Sequence, residues 1–212
     1  MELEIASCAL GMWQTNVYLL TAKASNKAWL IDPGFGPEMV IEHVQTHGIE
    51  VEKIILTHAH VDHIGGLEVC KEAFSDAVIY IHEAEKDFLT DPVLNLSAMS
   101  PPEVVAPEAD EYLKHGDSLS LDGLEFEVRH TPGHSPGGIV LYQAEQKLAV
   151  VGDTLFQQSI GRSDFPTSDG EALMKSIHEQ LMTLPDDVQV LPGHGGPTTI
   201  GQERAHNPFL NM

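Results

Sequence analysis

Within six residues, His58-Ala59-His60-Val61-Asp62-His63, the chain places three imidazoles and a carboxylate. These are donors that a zinc-like cation takes at roughly 2.0–2.2 Å, and a hydrolytic site must also leave one coordination position for water. An extended-to-helical turn fans alternate side chains in two directions, so one short run can serve two cations. It cannot complete two shells alone. Three more residues of the right type follow: His134 in Thr131-Pro132-Gly133-His134-Ser135, Asp153 in Val151-Gly152-Asp153-Thr154, and His194 in Leu191-Pro192-Gly193-His194-Gly195. A glycine stands beside each, which lets backbones approach closely. The seven divide as His58, His60 and His134 on one metal and Asp62, His63 and His194 on a second. Asp153 bridges them, and a shared water or hydroxide finishes both shells. A single histidine at a strand end is more often a hydrogen-bonded structural residue; seven such donors in this order are not. His43, His47, His82, His115, His130, His178 and His206 lack the pattern and are read as structural.

Two cations roughly 3.5–4 Å apart lower the pKa of a shared water towards about 7 and polarise a carbonyl oxygen. The chemistry expected is therefore hydrolysis by attack of a metal-bound hydroxide, with no Ser/His/Asp triad. Asp62 is the candidate catalytic residue, orienting the nucleophile or accepting its proton besides serving as a ligand. Zinc suits the donors best, while iron and manganese accept the same set.

Elements must bring these residues together. Asn16 to Leu20 and Ala28 to Ile31 read as strands, the second running into the turn Asp32-Pro33-Gly34. Pro37 to His47 has helical spacing, and Lys53 to Leu56 is a β-branched run that delivers Thr57-His58. Helix is expected over Leu67 to Phe74 and Ala84 to Leu89, with a strand over Val78 to Ile81 between them. Asp91 to Pro107, with four prolines, reads as a surface loop. Strands are expected at Leu124 to His130, Ile139 to Tyr142, Leu148 to Val151 and Val188 to Leu191, with a helix capped by Asp169 and running to about Leu184. His58, His134, Asp153 and His194 then each follow a strand, where strand-end loops gather side chains into one crevice.

Composition sets the frame. At 212 residues, 42% hydrophobic and 20% charged, the chain fits one soluble domain, residues 1–212, of α/β class. Eleven basic against 32 acidic residues give a net charge of −21, which repels nucleic acid and anionic membranes. The partner expected is a small molecule. Met1-Glu2-Leu3-Glu4 carries no signal-peptide pattern, so the cytoplasm is the expected location. Cys8 and Cys70 stand apart from any CxxC and read as buried thiols.

The HxHxDH run with the histidine, aspartate and histidine after it resembles the metallo-β-lactamase superfamily, over nearly the whole chain. The resemblance implies a four-layer αβ/βα sandwich of two similar halves with a dinuclear site at one edge. Asp32 matches the family's first motif, implying a carboxylate that orients a ligand or its loop. Thr131 to Gly137, Gly161-Arg162-Ser163-Asp164-Phe165-Pro166 and Glu203 to Phe209 are similar to the small glyoxalase II-like branch, the hydroxyacylglutathione hydrolases. That likeness implies hydrolysis of a thioester such as S-lactoylglutathione. Full-length glyoxalase II adds a C-terminal helical domain whose basic residues grip glutathione; none is read in this sequence up to Met212, and Arg162 is the cation placed to substitute. Asp164 is a candidate partner of a ligand imidazole. The rival activity is a mononuclear-iron persulfide dioxygenase, whose relatives share the Gly161 to Phe165 segment; His63 and His194 keep the second metal group intact and favour hydrolysis. Another ester, a lactone or a β-lactam would suit the same chemistry, although the glyoxalase-like segments weigh against a β-lactamase. An RNA-processing nuclease would carry a basic face.

Overall fold

The structure is a computed structural model that describes residues 2–100 and 102–211. In chain order the first half runs β1 (Leu3–Leu10), β2 (Thr15–Ala22), β3 (Lys27–Ile31), α1 (Glu38–Thr46), β4 (Glu50–Ile55), α2 (Val61–Ile64), α3 (Leu67–Ala73), β5 (Val78–His82) and β6 (Glu111–Leu113). The second half runs β7 (Ser118–Leu121), β8 (Leu124–His130), β9 (Ile139–Gln143), β10 (Leu148–Gly152), β11 (Leu155–Phe156), β12 (Ser159–Ile160), α4 (Gly170–Ser176), β13 (Gln189–Pro192), β14 (Thr198–Thr199) and α5 (Ile200–His206).

One six-stranded sheet has the order β1-β2-β3-β4-β5-β6 and the other β14-β13-β10-β9-β8-β7, with β11 and β12 forming a separate ribbon. The burial pattern explains the layering. Strands β2 and β3 are buried along nearly their whole length, so both sheet faces must be covered. Leu20, Trp29, Ile31 and Ile55 of the first sheet pack on Phe126, Val128, Leu141 and Val150 of the second. The Trp29 and Phe126 rings meet at 4.9 Å between centroids. Outside the first sheet, Leu19, Leu30, Ile54 and Ile79 pack on Val40, Val44, Leu67 and Cys70 of α1 and α3. Outside the second, Val140, Ala149 and Val190 pack on Leu173, Ile177, Leu181 and Ile200. Helix, sheet, sheet, helix is the four-layer sandwich expected.

Three local expectations change. Ala84 to Leu89 is not a helix: a short 3-10 turn at Glu83–Glu85 is followed by turns, because the His82 ring accepts the Ala84 N–H and the Glu85 side chain is turned inward. The described residues of Asp91 to Pro107 are irregular apart from a 3-10 turn at Ser97–Met99, and the segment is only partly at the surface, since Asn95, Leu96, Ser97 and Ala106 are buried. Asn95 is fully buried, its side chain donating to the carbonyls of Phe88 and Val104 while its own carbonyl accepts the Val61 N–H, which ties the segment to the start of α2. Cys70 is buried, which pushes its thiol up to about 12, whereas Cys8 is only partly covered. The helix capped by Asp169 does form, and it ends in one π-helical turn at Ile177–Leu181.

Candidate metal centre

The site lies where the ends of β3, β4, β8, β10 and β13 meet. Strand β4 runs parallel to β3 and β5, and the chain leaves it through Leu56-Thr57 into His58. Asp32, at the end of β3 with φ 51°, fixes that exit: its Oδ1 accepts the Thr57 N–H at 2.7 Å and its Oδ2 the Thr57 hydroxyl at 2.6 Å. The chain then turns helical at Val61, where the His63 N–H donates to the His60 carbonyl. The turn separates the donors. His58 and His60 point one way with His134, while Asp62 and His63 point towards His194.

The later strand ends close round this loop. His134 is held at its Nδ1 by the Arg162 carbonyl at 2.8 Å, and its own carbonyl accepts from Ser168. Asp153 follows β10 and His194 follows β13, parallel neighbours in the sheet. Gly193 allows them to meet, since a Cβ there would lie 2.1 Å from Asp153 Oδ1. The start of β2 grips the His194 loop: Asn16 Nδ2 donates to the Pro192 and Gly195 carbonyls, and the Trp13 carbonyl faces His194 Nδ1 at 3.1 Å.

All seven sequence candidates converge. His58, His60 and His134 form one set of mutually close donor atoms, Asp62, His63 and His194 another, and His58, His63 and Asp153 a third between them. Asp153 faces both outer sets, with Oδ1 3.4 Å from His63 Nε2 and Oδ2 3.5 Å from the Nε2 of His134 and of His194. Among the described residues, Nε2 of His58 and His63 and Oδ1 of Asp153 are buried with no hydrogen-bond partner. Leaving buried polar atoms unsatisfied is costly, so these orphans point to a missing partner. His60 Nδ1 also faces His134 Nε2 at 2.9 Å, a nitrogen pair that needs either a proton or a cation between them. Imidazole and carboxylate donors in this number fit divalent metal ions.

Electrostatics divides the two groups. Burial holds His58 well below its usual value and His60 at about 3, helped by neighbouring imidazoles, so both stay neutral. Burial lowers His134 as well. In the second group burial is outweighed. Asp62, Asp153 and Asp32 raise His63 well above its ordinary value, and contacts to Asp153 and Asp62 raise His194 to about 10. Burial works to raise Asp62, but His63 and His194 overcome it and hold the carboxyl at about 2.

Residues 10–194, which include all seven candidates, match the metallo-beta-lactamase superfamily. The chain belongs to that superfamily. It is 39% identical to the probable metallo-hydrolase YqgX of Bacillus subtilis, covering 95% of each chain. It is 38% identical to the hydroxyacylglutathione hydrolase GloC of Haemophilus influenzae, covering 94% of each. Among solved structures it is similar to the BLEG-1 B3 metallo-beta-lactamase, with a TM-score of 0.94 and 39% identity over 99% of this chain and 100% of that one. TTHA1623 in a di-iron-bound form gives 0.84 and 38% over 95% and 98%. Fold and metallo-hydrolase class follow from these matches.

Above the donors lies a cleft of about 360 Å³ with His60, Asp62, His134, Asp153 and His194 at its floor. Its walls are apolar: Trp13, Leu96, Met99, Phe156 and Phe165. Sequence reading did not single out Trp13, Leu96, Met99 and Phe156, because they come from a turn, the 91–107 segment and a two-stranded ribbon with no periodic pattern, whereas Phe165 lies in the Gly161 to Pro166 segment already quoted. Thr15, which donates to Asp62, was also missed; its only signal is a position at the head of the buried run of β2. Asp32 sits where its motif implies, accepting His63 Nδ1 at 3.0 Å. Arg162 is at the cleft rim, but its guanidinium forms a two-pronged pair with Asp164, both contacts 2.9 Å, and lies over the Phe165 ring. That corrects the role considered for Asp164. Its carboxylate is taken up by Arg162, and the partner of the His134 ring is the Arg162 carbonyl instead. Among the described residues no helix is long and apolar enough to cross a membrane.

Proposed function

We propose that this chain hydrolyses a thioester of the S-lactoylglutathione kind, with two divalent cations held by His58, His60 and His134 on one side and Asp62, His63 and His194 on the other, and Asp153 between. Zinc is the first choice of metal, with iron or manganese as substitutes the donor set also accepts. The observation that carries this reading is the pair of three-donor groups with Asp153 between them, in which Nε2 of His58 and His63 and Oδ1 of Asp153 are buried without hydrogen-bond partners. The name of the GloC relative supports the substrate class.

Bound cations of this kind acidify a water and polarise a carbonyl oxygen. The chain's own residues do the rest. Asp62, with side chain partly open to the cleft, is fixed by Thr15 and accepts from the nucleophile side. With one oxygen held by Thr15, its part is to orient the nucleophile or to accept its proton. The apolar walls of the cleft exclude water and cover the acyl group. A thiol leaving group has a pKa near 8.5 and departs without a strong acid.

The likeness to BLEG-1 favours a second reading, β-lactam hydrolysis at the same centre. Elemental analysis with turnover of S-lactoylglutathione and of nitrocefin tests both. About two metals per chain, with chelator-sensitive thioester turnover, supports the proposal. Nitrocefin turnover alone moves the assignment to β-lactams. One iron per chain, no hydrolysis, and oxygen uptake with glutathione persulfide would replace it with a persulfide dioxygenase.

A further inference from the structure

Glu85 is fully buried, and among the described residues it makes no ion pair with a lysine, arginine or histidine. A carboxylate carried into the interior is costly unless its oxygens are well used. Both are used on backbone of the two loops that carry the three-histidine group. Oε2 accepts the N–H of Ala59, which lies between His58 and His60, at 2.6 Å. Oε1 accepts the N–H of Gly137, three residues after His134, at 2.9 Å. The fit is close on the second loop: a Cβ on Gly137 would stand 2.8 Å from Glu85 Cγ. The other group has different supports. Asp62 is held by Thr15, His63 by Asp32 and His194 by the Trp13 carbonyl.

We infer that Glu85 is a positioning residue for one metal site alone, a strut that sets the distance between the His58-His60 loop and the His134 loop. It touches no reacting atom. Its effect reaches the chemistry through the first cation, and the inference rests on the two-cation reading, not on the substrate.

Glu85→Gln keeps the shape but turns one acceptor into an NH2 that opposes a backbone N–H. The experiment strips the full-length chain of metal and titrates it with zinc in a metal buffer, reading bound metal per chain alongside the melting temperature of the stripped protein. His60→Ala identifies which of the two binding transitions belongs to the three-histidine group. In Glu85→Gln that transition weakens by about 10–100-fold while the other stays in place. Gly137→Ala, which crowds the strut without removing its charge, shifts the same transition and serves if Glu85→Gln does not fold. Two unmoved transitions, or equal weakening of both in step with a lower melting temperature, overturn the inference and leave the two-cation reading standing. A wild-type chain that saturates at one zinc overturns both.

Discussion

Thr15 Oγ1 donates to Asp62 Oδ2 at 2.8 Å, across 47 positions of sequence, from a side chain that is almost wholly buried. The same carboxylate oxygen lies 3.1 Å from His194 Nε2 and 3.5 Å from His63 Nε2. Thr15 therefore sets which way Asp62 faces in a cluster that offers it several partners. Thr15→Val keeps the volume and removes the donor. The expected result is a kcat lower by about 10-fold or more, with metal content and KM changed less, because the fault lies in the angle of one carboxylate. Steady-state kinetics beside elemental analysis would check it; unchanged kcat would mean that Asp62 is aimed by its imidazole neighbours alone.

Asp32 serves three donors at once, the Thr57 N–H, the Thr57 hydroxyl and His63 Nδ1. Asp32→Ala strands the Thr57 N–H and His63 Nδ1 in the interior, each at about 1–3 kcal/mol, and leaves the Thr57 hydroxyl only His58 Nδ1 at 3.2 Å. Loss of the anchor also frees the His63 ring, and a further 10–100-fold loss of metal affinity is expected. Urea unfolding of the stripped chain and zinc titration separate the two effects. A variant as stable as the parent and as tight for zinc would remove Asp32 from the design of the site.

Metal uptake is expected to release protons from one group and not the other. His58, His60 and His134 are held below their ordinary values and are neutral at pH 7. His63 and His194 are held above theirs, so in the stripped chain both carry a proton at pH 7–8. Their raised values stabilise the stripped fold fully below about pH 6.5, and for His194 that contribution is lost as pH rises through about 10. A cation must displace those protons, so affinity at the second group rises with pH while the first changes little. Calorimetry in buffers of different ionisation enthalpy should count about two protons released with the second cation and close to none with the first. Equal release in both steps would contradict this division.

Much of the centre was legible in the sequence because its donors are rare types in a tight order. His58 to His63 announce themselves, and strand ends before His134, Asp153 and His194 could be read from short buried runs such as Leu148 to Val151. Four strands that pair at sheet margins or in ribbons, β6, β11, β12 and β14, were not, since two or three residues carry no period. Strand β1 escaped for another reason: as an edge strand it has only Leu10 buried, so Leu3 to Leu10 lacks a strong buried stripe. The supports of the site were the least readable. Glu85 looks like one acid among many in a chain of net charge −21, and only its place in space sets it apart.

Gly193 is a test of how closely the centre is packed. Strands β10 and β13 run side by side, the Gly193 N–H donates to the Gly152 carbonyl at 2.8 Å, and the missing side chain leaves room for Asp153. A methyl group there would meet Asp153 Oδ1 at 2.1 Å and His63 Cε1 at 2.7 Å, neither of which can retreat from a buried cluster without leaving its neighbours. Gly193→Ala is therefore expected to cost about 1–3 kcal/mol by overpacking and to lower bound metal, since the displaced group is the carboxylate between the two donor sets. Gly196→Ala is the control, because only the far end of Gln157 comes within 4 Å of its added methyl. Melting curves and metal content of both variants decide the matter: a Gly193→Ala chain as stable and as metal-loaded as Gly196→Ala would show that Asp153 is free to move, and would count against its position between the two cations.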